Sequence, residues 1–136
     1  MKNRHYIIRL VITACVLGSF VFNLQAQDIV AAGPPDPLDT YELPKFAQTT
    51  VDAEPHFIKM IIVLGYEKNP ELKNELNRRK DEIQYIINKL LRSKRYDELD
   101  EVSDIISLSE EIRAHINAFL IAGRIKEIYF KEFVLN

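Results

Sequence analysis

A chain of 136 residues has room for one folded domain and little else. Its charge is divided: residues 1–26 hold Lys2, Arg4 and Arg9 with no acid, whereas residues 27–136 hold 15 basic and 20 acidic side chains, a charge of −5. An acidic body argues against nucleic-acid binding, which rests on neutralising phosphates, and the single cysteine, Cys15, leaves that body without disulfides.

Met1 to Arg9 is short and basic, and Leu10 to Leu24 then runs fifteen residues without a charge. Basic residues on the N-terminal side alone predict a cytoplasmic N-terminus and an exported body. Three readings of residues 1–26 stay open. As a signal anchor, fifteen helical residues span about 22 Å against a hydrocarbon core of about 30 Å. Counting from Tyr6 gives nineteen positions, with Arg9 placed to snorkel to the headgroups. As a signal peptide, Leu24-Gln25-Ala26 ends in a small residue suited to cleavage. As a lipid attachment site, Ile12-Thr13-Ala14-Cys15 resembles a bacterial lipobox, although the residues after Cys15 stay apolar. Residues 27–40 contain Gly33, Pro34, Pro35 and Pro37 without periodicity and read as a semi-extended linker. Residues 41–136 remain as the domain.

Tyr41 to Asp52 is a weak strand candidate, and Pro44 places it at a sheet edge or a strand start. Phe57 to Tyr66 (FIKMIIVLGY) is the organising element. Both parities are apolar apart from Lys59, so it reads as a central strand buried on both faces and covered above and below. Asn69-Pro70-Glu71 spells a helix start: a cap, a first-turn proline and an acid at the positive end of the dipole. Leu72, Leu76, Ile83, Ile87 and Leu90 continue the stripe to about Arg92, with a lapse at Arg79 and Lys80 where the helix overhangs or bends.

Ser93 to Asp104 is polar, and a short helical turn there tucks Tyr96 and Leu99 inward. Ser107-Leu108-Ser109-Glu110 matches a capping box that opens a second helix. Gly123 is its expected left-handed stop. In the closing run from Arg124 to Asn136, Ile128 and Phe130 share one parity, Phe133 and Leu135 the other. A bulge near Lys131-Glu132 brings all four to one face and makes this a strand paired inside the sheet. The expected class is α+β: an N-terminal hydrophobic helix, then a small sheet of about three or more strands packed against two amphipathic helices.

Chemistry is sparse. His5, His56 and His115 sit in different elements without ligand spacing, and no serine stands in a nucleophile elbow. Asp97, Glu98, Asp100, Glu101 and Asp104 lack the glycine and ligand order of a calcium loop and read as a solvated face. Arg78-Arg79-Lys80 and Arg92-Ser93-Lys94-Arg95 are flanked by Glu75, Asp81, Glu82 and Asp97, which favours surface ion pairs over phosphate binding. Four scattered glycines cannot build a phosphate loop. An enzyme would need His115 and the acidic cluster to meet in one pocket. No catalytic, cofactor-binding or metal residue is assigned, and none for a partner.

The residues do resemble a known family. Ile128-Tyr129-Phe130-Lys131-Glu132-Phe133-Val134-Leu135-Asn136 is similar to the terminal V-Y-F-T-E-F-V-I-Q run of the FliL proteins of the flagellar basal body. His56 to Leu64 (HFIKMIIVL) is similar to that family's R-Y-L-K-V-S-I-V-L strand. Arg79-Lys80-Asp81-Glu82-Ile83 through Leu90 resembles its R-x-P-x-I-R-D-A-I-I-x-x-L helix, and Ser93 to Leu99 stands where a S-S-K-T-x-x-x-L segment is common. Phe46 to Asp52 lacks the family's N-L pair, and Asn136 replaces its final glutamine. The resemblance implies a single-pass inner-membrane protein with a periplasmic, stomatin-like (SPFH) domain. It further implies association with the stator units (MotA/MotB), ring-like self-assembly, support of torque and motility, and no catalysis, cofactor or metal. The residues' own alternative is a secreted or lipid-anchored periplasmic binding module.

Overall fold

The computed structural model describes residues 36–136. All three readings of residues 1–26, and the linker up to Pro35, lie outside them. No helix among the described residues is long and apolar enough to cross a membrane.

β3 (Phe57–Tyr66) is the axis of a four-stranded antiparallel sheet. β1 (Asp39–Glu42) and β2 (Phe46–Thr49) lie end to end along one side of it. β4 (Ile125–Leu135) takes the whole of the other side. Pro44 falls in the gap between β1 and β2, at the edge, where its missing N–H costs no ladder bond. Leu43 keeps its own, donating to the Ile62 carbonyl at 2.9 Å.

The register of β4 shifts between Ile61 and Ile62, where Glu132 faces Ile61 and Phe130 faces Ile62, leaving Lys131 unpaired. The bulge expected at Lys131-Glu132 is therefore present. It brings Ile128, Phe130, Phe133 and Leu135 to the side of the sheet that meets the core.

Three helices cover the sheet: α1 (Pro70–Arg78), α2 (Lys80–Arg92) and α3 (Val102–Asn117). Asn69 caps α1, its Oδ1 accepting from the N–H groups of Glu71 and Leu72. The stripe that lapses at Arg79-Lys80 is two helices, broken at Arg79 (φ −99°, ψ 14°). A single turn, Tyr96–Glu98, follows; Leu99 is buried behind it, while Tyr96 stays outside the core and stacks on His56.

Two expectations fail here. α3 opens at Val102, a turn before the serines, with the Asp104 carboxylate accepting the Glu101 N–H at 3.1 Å. Ser107 and Ser109 sit inside the helix, donating to the Ser103 and Ile106 carbonyls of the preceding turn. Gly123 does not end the helix, which stops at Asn117, and it is not left-handed. Its missing side chain leaves room for Leu72, whose Cδ2 would lie 3.0 Å from a Cβ there.

The core also departs from the expected sandwich. Ile58, Met60, Ile62, Leu64 and Tyr66 are buried against Leu72, Leu76, Ile83, Ile87, Ile112 and Ile116 from the helices. Each such side chain contributes about 1.5–3 kcal/mol. The other parity of β3 does not join this core: Phe57 is exposed, and Lys59, Ile61 and Val63 are half-buried. Among the described residues, cover lies on one face only, from three helices rather than two.

Candidate interaction surface

The connection from α3 to β4 is fastened by one buried carboxylate. Glu75 lies on the core side of α1, between Leu72 and Leu76, and is only 2% exposed. Its oxygens accept the backbone N–H groups of Ile121 (3.1 Å) and Ala122 (2.7 Å), while Arg79 Nε lies 3.3 Å away. Asn69 Nδ2 donates to the Ala122 carbonyl, and the Arg79 guanidinium covers the Phe119 ring at 5.3 Å. Burial pushes the Glu75 carboxyl up. The Ala122 and Ile121 N–H groups, with Arg79 and Arg78, outweigh it and hold the group below its ordinary value. This fastening fixes where β4 begins.

A second fastening holds the turn between β2 and β3. Thr50 Oγ1 accepts the His56 N–H at 2.9 Å, and Asp52 Oδ2 accepts the Tyr96 N–H at 2.7 Å. The Thr50 hydroxyl and the Tyr96 N–H lower the Asp52 carboxyl, against burial and with help from Arg95. The ring of Tyr96 lies 4.2 Å from that of His56.

Four of the six basic side chains in the two runs are engaged by ion pairs and amides. Arg79 reaches Glu75 and Glu82, Lys94 meets Glu111 at 2.6 Å, Arg95 meets Asp97 at 3.1 Å, and Arg92 donates to Gln48. The helix-free face of the sheet carries a further network. Glu132 bridges Lys45 and Lys59 at 3.2 Å each, and Lys131 reaches Glu42 at 2.9 Å. Lys59, then Lys45, hold Glu132 below its usual range, while the Glu132 carboxylate in turn raises Lys59.

His115 and the acidic cluster do not converge. The cleft between α2 and α3 holds His115 with Glu111, Lys89 and Tyr85. A neighbouring cleft, which shares Glu111 with the first but not His115, holds Asp97, Glu98 and Asp104. His115 Nδ1 is engaged with the Glu111 carbonyl at 2.8 Å. Among the described residues no three His, Cys, Asp or Glu side chains stand close enough to hold a metal.

Sequence reasoning missed Glu75 as a fastening, reading it as a surface partner for Arg78-Arg79-Lys80. The available signal was an acid in phase with Leu72 and Leu76. It also missed the bridging role of Glu132, which only the pairing of β3 with β4 brings beside Lys59.

The strands and helices that carry these features coincide with a known domain. The family model described as flagellar basal body-associated protein FliL matches residues 40–135. The chain belongs to the FliL family. It is 35% identical over 98 residues to a flagellar protein FliL from Borreliella burgdorferi, covering 71% of this chain. The chain spans about half of that relative's length, 53%. In this FliL-family domain what the geometry offers is surface: two sheet edges, a charged sheet face and a helical layer.

Proposed function

We propose that this chain is a non-enzymatic component of the flagellar motor that associates with the stator units (MotA/MotB), self-associates beside them and supports torque and motility. The observation that carries the reading is the family match, which runs through every strand and helix of the described domain. The surface itself is consistent with a binding role, because its charged groups are spent on ion pairs that shape faces and edges.

The reading includes a domain plan: residues 1–26 as a single-pass inner-membrane anchor with a cytoplasmic N-terminus, the stretch from 27 to the start of β1 as spacer (two residues shorter than the sequence suggests, because Asp39 and Thr40 pair in the sheet), and the domain from β1 to residue 136 in the periplasm. Deletion should leave filaments in place while lowering swimming speed and swarming, most under viscous load, with wild-type protein restoring both. Unchanged motility under load in the deletion strain would sink it. Leu24-Gln25-Ala26 supports a second reading, a secreted or lipid-anchored binding module. Intact mass of the protein from its own cells separates the two: full length in the inner membrane supports the anchor, a form beginning at Gln27 or lipid on Cys15 the module.

A further inference from the structure

α2 and α3 run antiparallel: Arg79, at the start of α2, covers Phe119, and Lys94, just past its end, meets Glu111. Their inner faces reach the core through Ile83, Ile87, Ile112 and Ile116. On the outer side they leave a hollow of about 380 Å³. Two rows of α2 shape it. Ile86 and Leu90, one turn apart, form an apolar floor, and Tyr85 and Lys89 stand beside them as a ridge. Leu90 is buried, Ile86 half-buried, and Tyr85 67% exposed. Across the ridge a second hollow, of about 270 Å³, lies among Tyr85, Lys89, Asn88 and Arg92.

The polar groups here are few and differ in role. Glu111, the one acid lining the first hollow, is neutralised by Lys94 at 2.6 Å. Among the described residues neither Lys89 nor Arg92 has a carboxylate partner. Arg92 donates from Nε to the neutral amide of Gln48, which leaves its charge uncompensated. His115 contributes an acceptor: its Nδ1 donates to the Glu111 carbonyl, so Nε2 of the neutral ring carries the lone pair. Cations at a helix C-terminus alone would be ordinary, since they complement the dipole. An apolar floor and an acceptor set beside them are not accounted for that way.

What fits is an apolar body with a carboxylate on one side and an N–H donor on the other. A compact small molecule calls for a site that encloses most of its surface. These hollows are open and adjoin across the ridge, which suits a length of chain. We propose that this surface docks a short acidic segment of a partner protein. A large apolar side chain of the segment seats on Ile86 and Leu90 against the Tyr85 ring. A neighbouring carboxylate meets Lys89 and Arg92, and a backbone N–H donates to Nε2 of His115. The proposal rests on the association with motor proteins proposed above, and adds the place and the chemistry of the contact.

The test places p-benzoylphenylalanine at Tyr85 of the full chain in its native host, with the same group at Lys73 on α1 as control. The peptide joined on irradiation is then sequenced. Position 85 should join a different protein through a peptide in which Asp or Glu neighbours a large apolar residue, and position 73 should not. Lys89→Glu with Arg92→Glu, both at exposed positions and checked for unchanged circular dichroism, should lower that adduct by about tenfold or more. Lys89→Arg should preserve it, and exchanging the partner's carboxylate for lysine should restore it to the charge-reversed chain. A joined peptide without acids, a yield indifferent to charge reversal, or a second copy of this chain as the joined molecule would each overturn the proposal. Absence of any adduct in a host whose deletion strain loses motility under load would remove the docking site and leave the motor reading. A charge-dependent adduct in a host whose deletion strain swims normally under load would do the reverse.

Discussion

On one face of β3, Ile58, Met60, Ile62 and Leu64 are sealed beneath three helices; on the other, Ile61 and Val63 lie half-buried among ion pairs. The two sets of side chains are alike in kind. What separates them is what the neighbours bring. The helix-covered face meets Leu72, Leu76, Ile83, Ile87, Ile112 and Ile116. The open face meets Lys45, Lys59 and Glu132, and across it Lys131 reaches Glu42. Long charged side chains can lay their methylene stems over apolar surface while their heads stay in water. A strand apolar on both parities therefore need not be sandwiched.

The comparison breaks most visibly at Ile62. Ile62→Ala should lower unfolding stability by about 2–5 kcal/mol, and Ile61→Ala, one residue away on the open face, by clearly less. Equal midpoint shifts in denaturant would mean that the two faces are energetically the same.

The next effect belongs to the fastening behind the covered face. Glu75→Gln replaces a buried carboxylate held by two N–H groups and Arg79, and should cost about 2–4 kcal/mol. Because the folded Glu75 carboxyl lies below its ordinary value, its contribution is present above the unfolded value of about 4.3 and is lost as pH falls through the folded one. The variant should thus lose less stability than wild type on acidification. Parallel acid curves for the two proteins would remove Glu75 as a source of acid lability.

Gly65→Ala probes where the open face is tightest, since an added Cβ would stand 2.9 Å from Tyr129 Cε2 and 3.3 Å from Leu38 Cδ1. The ring must shift, at about 1–3 kcal/mol. A stability unchanged in thermal melts would show that Tyr129 is free to move.

The smallest effect is expected from Glu132→Gln, a small loss that shrinks further in high salt because the network is solvent-exposed. In the wild type Glu132 stabilises above the unfolded carboxylate value and ceases to as pH falls through its lowered one; Lys59, raised, contributes below its unfolded value and ceases as pH rises through the raised one. A loss as large as that of Glu75→Gln would make the ion-pair network a second core in effect.

The features legible in the chain were those set by neighbours in sequence. Asn69-Pro70-Glu71 starts a helix through its own backbone, and the change of parity within Ile128–Leu135 demands a bulge whatever the strand pairs with. Pro44 likewise implies an edge or a strand start by itself. The illegible features depend on groups far apart. Ser107 through Glu110 has the pattern of a capping box, but Asp104 makes the cap first and the helix runs through it. Gly123 is small for the sake of Leu72, fifty-one residues upstream. That only one face of β3 is covered follows from where α3 lands over β4, which no local pattern records. Of the interaction surface, the charged residues could be named in advance, but their assembly around Glu132 and Glu75 could not.

The gap at Pro44 divides the outer edge into two mechanically separate pieces. A pull entering through Asp36 would meet only the four residues of β1, which pair with Val63 through Tyr66, while β2 stays seated on Phe57 through Met60 and on α2 by way of Gln48, Asn88 and Arg92. Beyond β1, Leu43 is buried and bonded to Ile62 and makes a firm stop. Under tension applied at Asp36 the domain thus gives up one short strand and holds, while its core and its β4 edge keep their shape.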